Sequence, residues 1–167
     1  MTRSGTLALN AIAEMLGGTR VFKHPISSEH ELIQAVRAGL PMSALEAVLA
    51  QVATAKALQR EVVEIVGSAR TLQRKRAAHR DAMATPAKKR RAKTVTLSPG
   101  ESDRLARFAR LLVRAQTAIG DREKAQRWLA KPNRALGGER PVTLLDSDAG
   151  TLAVERVLGR IEHGVYS

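Results

Sequence analysis

Apolar residues recur at helical spacing along most of the chain, and the alternation expected of strands is nearly absent. Between residues 7 and 16, Leu9, Ile12, Ala13 and Leu16 share one helical face, and the pattern stops at Gly17-Gly18, a pair that ends helices well. Such a helix can pack on the body or form an arm, and the residues leave both open. Ser28 with Glu31 predicts a capping box for a helix over residues 29–38, with Leu32, Ile33 and Val36 as its apolar face. Gly39-Leu40-Pro41 ends it. Ser43 is then expected to cap a second helix carrying Leu45, Val48, Leu49 and Val52. A third follows over residues 54–65, with Leu58, Val62 and Ile65 inward.

Gly67 breaks that third helix, and Ser68 is placed to cap another. Its first turns present Arg70, Thr71, Gln73 and Arg74, side chains able to hydrogen-bond base edges or phosphates, while Leu72 supplies an anchor to the core. Lys75 and Arg76 follow as phosphate contacts. A turn leading into such a segment is the recognition half of a helix-turn-helix, whose second helix enters the major groove by its N-terminal residues. Because one short recognition helix reads few base pairs, a homodimer on a two-fold operator is expected.

Beyond this helix the pattern changes. Residues 81–97 read as a linker: Ala-rich, turned at Thr85-Pro86, then basic through Lys88-Lys89-Arg90-Arg91. Lys93 to Leu97 is the single candidate for extended structure. Ser98-Pro99-Gly100-Glu101 restarts helix strongly, with serine as cap, proline in the first position and glutamate in the third. Leu105, Phe108, Leu112, Ala115 and Ile119 line one face of that helix, and Arg107, Arg110 and Arg114 another. This arginine stripe is either merely solvated or lines a phosphate or partner surface. Asp121 caps a helix over residues 122–130 anchored by Trp128 and Leu129; Pro132-Asn133 and Gly137-Gly138 are turns. A last helix spans about residues 149–162, apolar at Leu152, Val154, Val157, Leu158 and Ile161, and Gly164 stops it.

Charge sharpens the picture. The chain of 167 residues carries 28 Lys+Arg against 16 Asp+Glu, a net charge of +12. Residues 67–95 hold ten of the basic side chains (Arg70, Arg74, Lys75, Arg76, Arg80, Lys88, Lys89, Arg90, Arg91 and Lys93) against Asp81 alone. A polyanion is the natural partner of such a cluster, because each neutralised phosphate releases condensed counterions. The bland alternative for Lys88–Lys93 is a solvated linker. Aromatic residues are only 2% of the chain, too few for the stacking platforms of single-strand binders, so duplex DNA is the expected ligand.

Composition excludes other chemistry. There is no cysteine, hence no disulfide or thiolate site. The four histidines are scattered without metal-ligand spacing, and Asp146 with Asp148 reads as a helix N-cap cluster before it reads as a catalytic pair. No catalytic residue, metal or cofactor is expected. No apolar run approaches the ~20 residues that cross a bilayer, and Asn10 and Glu14 interrupt the continuous hydrophobic core that a signal peptide would need after Arg3, so a cytoplasmic protein is expected.

The C-terminal motifs carry a resemblance. Trp128-Leu129 followed by Pro132-Asn133, then Leu136-Gly137-Gly138, then Pro141 with Leu144-Leu145-Asp146 and Gly150, then a helix ending Leu158-Gly159-Arg160-Ile161-Glu162-His163-Gly164 resembles the toxin-binding domain of Xre/MbcA/ParS-type antitoxins. The segments around Ser68–Arg76 and Leu97–Leu112 resemble that family's helix-turn-helix and connecting helix, so the likeness covers roughly residues 27–167. Thr85–Lys93 is longer than the family's usual linker. The resemblance implies an all-α chain with an N-terminal arm (1–26), a helix-turn-helix domain (27–80), a basic linker (81–97) and a toxin-binding domain (98–167). It implies an antitoxin that covers the active-site entrance of a RES-domain, NAD-consuming toxin and binds its own promoter. Arg156, Arg160, Glu162, His163, Tyr166 and Ser167 would then make the toxin contact, and Ser68, Arg70, Thr71, Gln73, Arg74, Lys75 and Arg76 the DNA contact. The alternative is a stand-alone helix-turn-helix regulator whose C-terminal half dimerises or senses a ligand.

Overall fold

The computed structural model describes residues 3–84 and 94–164; the Lys88–Arg91 block and the proposed contacts Tyr166 and Ser167 lie outside the described residues. The described chain is all-α. In order come α1 (Arg3–Met15), α2 (Gly18–Phe22), α3 (Glu29–Ala38), α4 (Met42–Gln51), α5 (Lys56–Val66), α6 (Ala69–Ala84), α7 (Pro99–Ile119), α8 (Arg122–Ala130), two 3-10 turns (Arg134–Leu136 and Thr143–Asp146) and α9 (Asp148–Glu162).

Helix α7 is the spine. Its 21 residues begin on the expected capping box, where the Ser98 side chain accepts the Glu101 amide and the Glu101 carboxylate accepts the Ser98 amide. Leu105, Phe108, Leu111, Leu112 and Ala115 are fully buried along it. Helices α1, α3 and α5 pack on α7 from the N-terminal part of the chain, and α8 and α9 pack on it from the C-terminal part. One core cluster therefore joins described residues from Met15 to Leu158, with members on both sides of residues 81–96.

Helix α1 is no free arm among the described residues. Leu16 is fully buried in the main core, while Leu9 and Ala13 form a satellite cluster with Ile26, Phe22 and Leu32. Helix α3 starts on the expected cap, with the Ser28 hydroxyl accepting the Glu31 amide at 3.2 Å, but the Glu31 carboxylate closes one residue earlier than a capping box would, accepting the Ser27 amide at 2.8 Å and the Ser27 hydroxyl at 3.0 Å.

The start of α4 departs from expectation. Ser43 does not cap it; Met42 is already helical and Pro41 holds the cap position without a side-chain bond. The reason is tertiary. The Met42 amide donates to the Val95 carbonyl at 2.8 Å, and the Leu97 amide donates to the Leu40 carbonyl at 2.8 Å. These bonds form an isolated antiparallel bridge between Pro41 and Thr96, the one extended pairing among the described residues. Gly39 makes room for it: at φ +95°, a Cβ there would stand 2.6 Å from the Leu97 carbonyl oxygen. The end of the expected linker is thus stitched to the α3–α4 turn. The buried Ser102 hydroxyl completes the stitch by accepting the Leu40 amide at 2.8 Å.

Two apolar positions expected inward are not. Ile33 and Leu152 are 46% and 47% exposed, because their helices turn other faces to the core. On α9 the buried side is Thr151, Val154, Val157 and Leu158.

Candidate nucleic-acid and partner interfaces

Helices α5 and α6 meet at a sharp turn. Gly67 is fully extended, and its backbone lies against Glu101 of α7, where an added Cβ would come within 3.1 Å of the carboxylate oxygen Oε1. The Ser68 hydroxyl then accepts the Thr71 amide at 3.2 Å and donates to Thr71 Oγ1 at 3.0 Å, so the expected cap forms. Leu72 is fully buried and ties α6 to the core. Complete burial of a leucine is worth about 1.5–3 kcal/mol, enough to hold a short helix whose other faces are polar.

The seven residues expected to contact DNA fall into three groups. Arg70, Gln73 and Arg74 are exposed. No hydrogen bond or ion pair links them to another described residue. Ser68 and Thr71 spend their side chains largely on each other. Lys75 and Arg76 turn towards the body: Lys75 Nζ reaches Glu101 Oε2 at 2.5 Å, and the Arg76 guanidinium grips Glu46 of α4 at 2.7 and 3.2 Å. An i, i+4 pair of unpartnered guanidiniums with a glutamine between them is what base-edge and phosphate recognition requires.

Glu101 is the electrostatic centre behind this helix. Burial pushes its pKa up, but the hydrogen bond and charge of Lys75 and the Ser98 amide outweigh that, holding the carboxyl below its ordinary value. The turn, the recognition helix and the start of α7 therefore converge on one ionised side chain.

The C-terminal part is built around α9. The Ser147 hydroxyl caps it, accepting the Gly150 amide at 3.1 Å, so the cap falls on the serine between Asp146 and Asp148, the two residues expected to form it. Asp148 also meets Arg107 at 2.7 Å. Gly150 is sterically required, since a Cβ there would lie 2.1 Å from the Leu144 carbonyl oxygen in the preceding 3-10 turn. The Asn133 side chain accepts the Ala135 amide at 2.9 Å and shapes the other 3-10 turn. Between that turn and α9 runs a groove of about 620 Å³, floored by Ala135, Leu136, Ala153 and Val157 and edged by Arg156, Arg160 and His163. Of the expected partner-binding residues, Arg156, Arg160, Glu162 and His163 are all exposed, and three of the four line this groove. Sequence reasoning missed Ala135, Leu136, Ala153 and Gly159, the small and apolar half of the groove.

The arginine stripe of α7 is divided: Arg110 is exposed, whereas its neighbours meet groups of the body. Arg104 donates to the Val66 carbonyl at 3.0 Å, closing the end of α5. Arg107 pairs with Asp103 and Asp148, and Arg114 stands 4.0 Å from Glu155. From α8, Arg122 and Gln126 both donate to the Gln51 carbonyl at the end of α4, and Arg140 pairs with Glu61.

Residues 114–164, which hold the end of α7, α8, both 3-10 turns and α9, match the antitoxin Xre/MbcA/ParS C-terminal toxin-binding domain. The C-terminal part of the chain is thus similar to that toxin-binding domain. The chain is 44% identical over 68 residues to Antitoxin Xre of Photorhabdus laumondii, covering 40% of this chain and 46% of that protein. It is 40% identical over 80 residues to Antitoxin Xre of Yersinia enterocolitica, covering 47% and 54%. Antitoxin Xre of Pseudomonas putida is 40% identical over 68 residues, covering 41% and 43%. The chain thus spans about half the length of these curated relatives. Among the described residues no helix is long and apolar enough to cross a membrane, and no three His, Asp or Glu side chains gather to hold a metal ion.

Proposed function

We propose that the chain is the antitoxin of a type II toxin–antitoxin pair. Its toxin-binding domain covers the active-site entrance of a RES-type, NAD-consuming toxin. Its α5–turn–α6 unit, as a homodimer, binds the pair's own promoter through Arg70, Gln73 and Arg74. The observation that carries the reading is a coincidence: the segment matching a toxin-binding domain is also the one that presents two exposed guanidiniums, Arg156 and Arg160, and the His163 imidazole beside an apolar groove. Those arginines have no partner among the described residues, unlike Arg104 and Arg107 of α7. A fold with two separate sets of arginines left without partners among the described residues suits two partners, a protein at one end and a polyanion at the other.

Rescue of cells expressing the toxin tests the first half. Arg160→Glu, or deletion of residues 165–167, is expected to abolish protection while leaving gel shifts on the upstream promoter unchanged. Full protection by both variants would show that neutralisation does not run through this end of the chain.

A further inference from the structure

Helix α9 contains two glycines, and only one has a reason inside the molecule. Gly150 is locked by the Leu144 carbonyl, 2.1 Å from where its Cβ would be. Gly159 lies in the last turn of α9 with its carbonyl accepting the His163 amide, still within the helix, where glycine destabilises relative to alanine. Yet a Cβ there would meet only Arg114 Nη2, at 3.5 Å, an ordinary contact, and its backbone has no left-handed φ. Nothing among the described residues demands a glycine at this position. Gly159 lines the groove between the Arg134–Leu136 turn and α9, beside Arg156, Arg160 and His163.

We propose that this groove is the seat of an apolar segment of the toxin flanked by carboxylates, laid so closely on α9 that only glycine admits it at residue 159. The inference rests on the antitoxin reading and adds to it the chemistry of the toxin's docking segment. Charge complementarity commits the occupant. The floor of alanine, leucine and valine accepts an apolar side chain, and among the described residues the rim offers two guanidiniums and an imidazole and no carboxylate. A nucleic acid would satisfy the rim and leave the apolar floor without a counterpart. The exposed Leu152, one turn before Arg156, extends the apolar surface towards the start of the helix.

The test uses the full chain and the protein encoded by the neighbouring gene, with affinity measured by titration. Ala135 lines the groove from the 3-10 turn and is exposed, so Ala135→Glu and Ala135→Lys, of similar size, leave the core untouched. Ala135→Glu is expected to weaken binding by about tenfold or more, the scale of one unfavourable charge contact, and Ala135→Lys to leave it unchanged or tighter. Gly159→Ala is expected to melt at or above the wild-type temperature and still bind more weakly. If the wild type binds and the two Ala135 variants behave alike, the carboxylate-flanked segment is wrong and the antitoxin reading stands. If Gly159→Ala binds like wild type, the close approach is wrong. If the wild type itself does not bind, the antitoxin reading falls and the groove proposal with it.

Discussion

On α7, Arg104 holds the Val66 carbonyl and Arg107 holds two aspartates; on α6, Arg70 and Arg74 hold nothing among the described residues. In composition the two helices look alike, each with several arginines spaced three or four apart. Their physical state differs. A guanidinium already bonded to a helix-end carbonyl or a carboxylate must surrender those bonds before it meets phosphate, whereas an exposed, unpartnered one loses only water. Arg76 and Lys75 sit on α6 yet behave like the α7 group, since Glu46 and Glu101 already occupy them. A count of basic residues therefore overstates the surface available to DNA, and the inventory of partners corrects it.

The largest expected effect breaks or confirms that division directly. Each lost bidentate contact to guanine costs ~1–3 kcal/mol, so Arg70→Ala with Arg74→Ala should remove about 2–6 kcal/mol of operator affinity if the two act independently. Arg76→Ala should weaken operator binding far less and lower stability instead, through the loss of Glu46. Gel shifts beside thermal melts separate the two outcomes. Equal losses of DNA affinity from all three arginines would erase the distinction between free and occupied guanidiniums.

Next in size is the Lys75–Glu101 pair. Lys75→Met leaves a carboxylate that is 7% exposed with only the Ser98 amide, an expected loss of about 1–3 kcal/mol for a charged hydrogen bond. The pH dependence follows from the lowered pKa of Glu101. Its stabilisation is fully present above the ordinary glutamate value and fades as pH falls from there through the lower folded-state value. Lys75→Met should shrink that acid-side loss, because it removes the main group holding the pKa down. Urea unfolding across the acid range measures it; an unchanged profile would show that Lys75 does not set the Glu101 ionisation.

Most of the fold was legible in local signals. The capping box at Ser98–Glu101, the caps at Ser28, Ser68, Asp121 and Ser147, and the glycine stops all act within a few residues, so spacing reveals them. What escaped was non-local. Ser43 loses the cap of α4 because Val95 bonds Met42 across more than fifty residues, and Gly39 is needed because Leu97 lies against it. That one core cluster has members on both sides of residues 81–96 was hidden for the same reason. On α6 the exposed arginines could be named from the sequence, but the side chains that occupy Lys75 and Arg76 come from α7 and α4. At the partner face, the cations of α9 were visible in the pattern; the groove beside them depends on how a 3-10 turn packs back on the helix.

The smallest effect probes the α7 side of the comparison. Arg107 is held by Asp103 and Asp148, whose side chains are 57% and 93% exposed. Pairs with such exposed acceptors are screened and contribute little, so Asp148→Asn should cost only about 0.2–1 kcal/mol. Ser147→Ala, which removes the cap itself, should cost about 1 kcal/mol, and the order of these two variants checks that the hydroxyl rather than the aspartate starts α9. The more telling readout is DNA. With Asp148 neutralised, Arg107 keeps Asp103 and its 3.5 Å approach to the Leu145 carbonyl, and only 14% of its side chain is exposed. It should remain unavailable, and the slope of log affinity against log salt should stay that of wild type, whereas one newly engaged phosphate would steepen it by ~0.9. A steeper slope would mean that the inward arginines are a reserve for polyanions held back by single carboxylates, and the contrast between α6 and α7 would be one of degree.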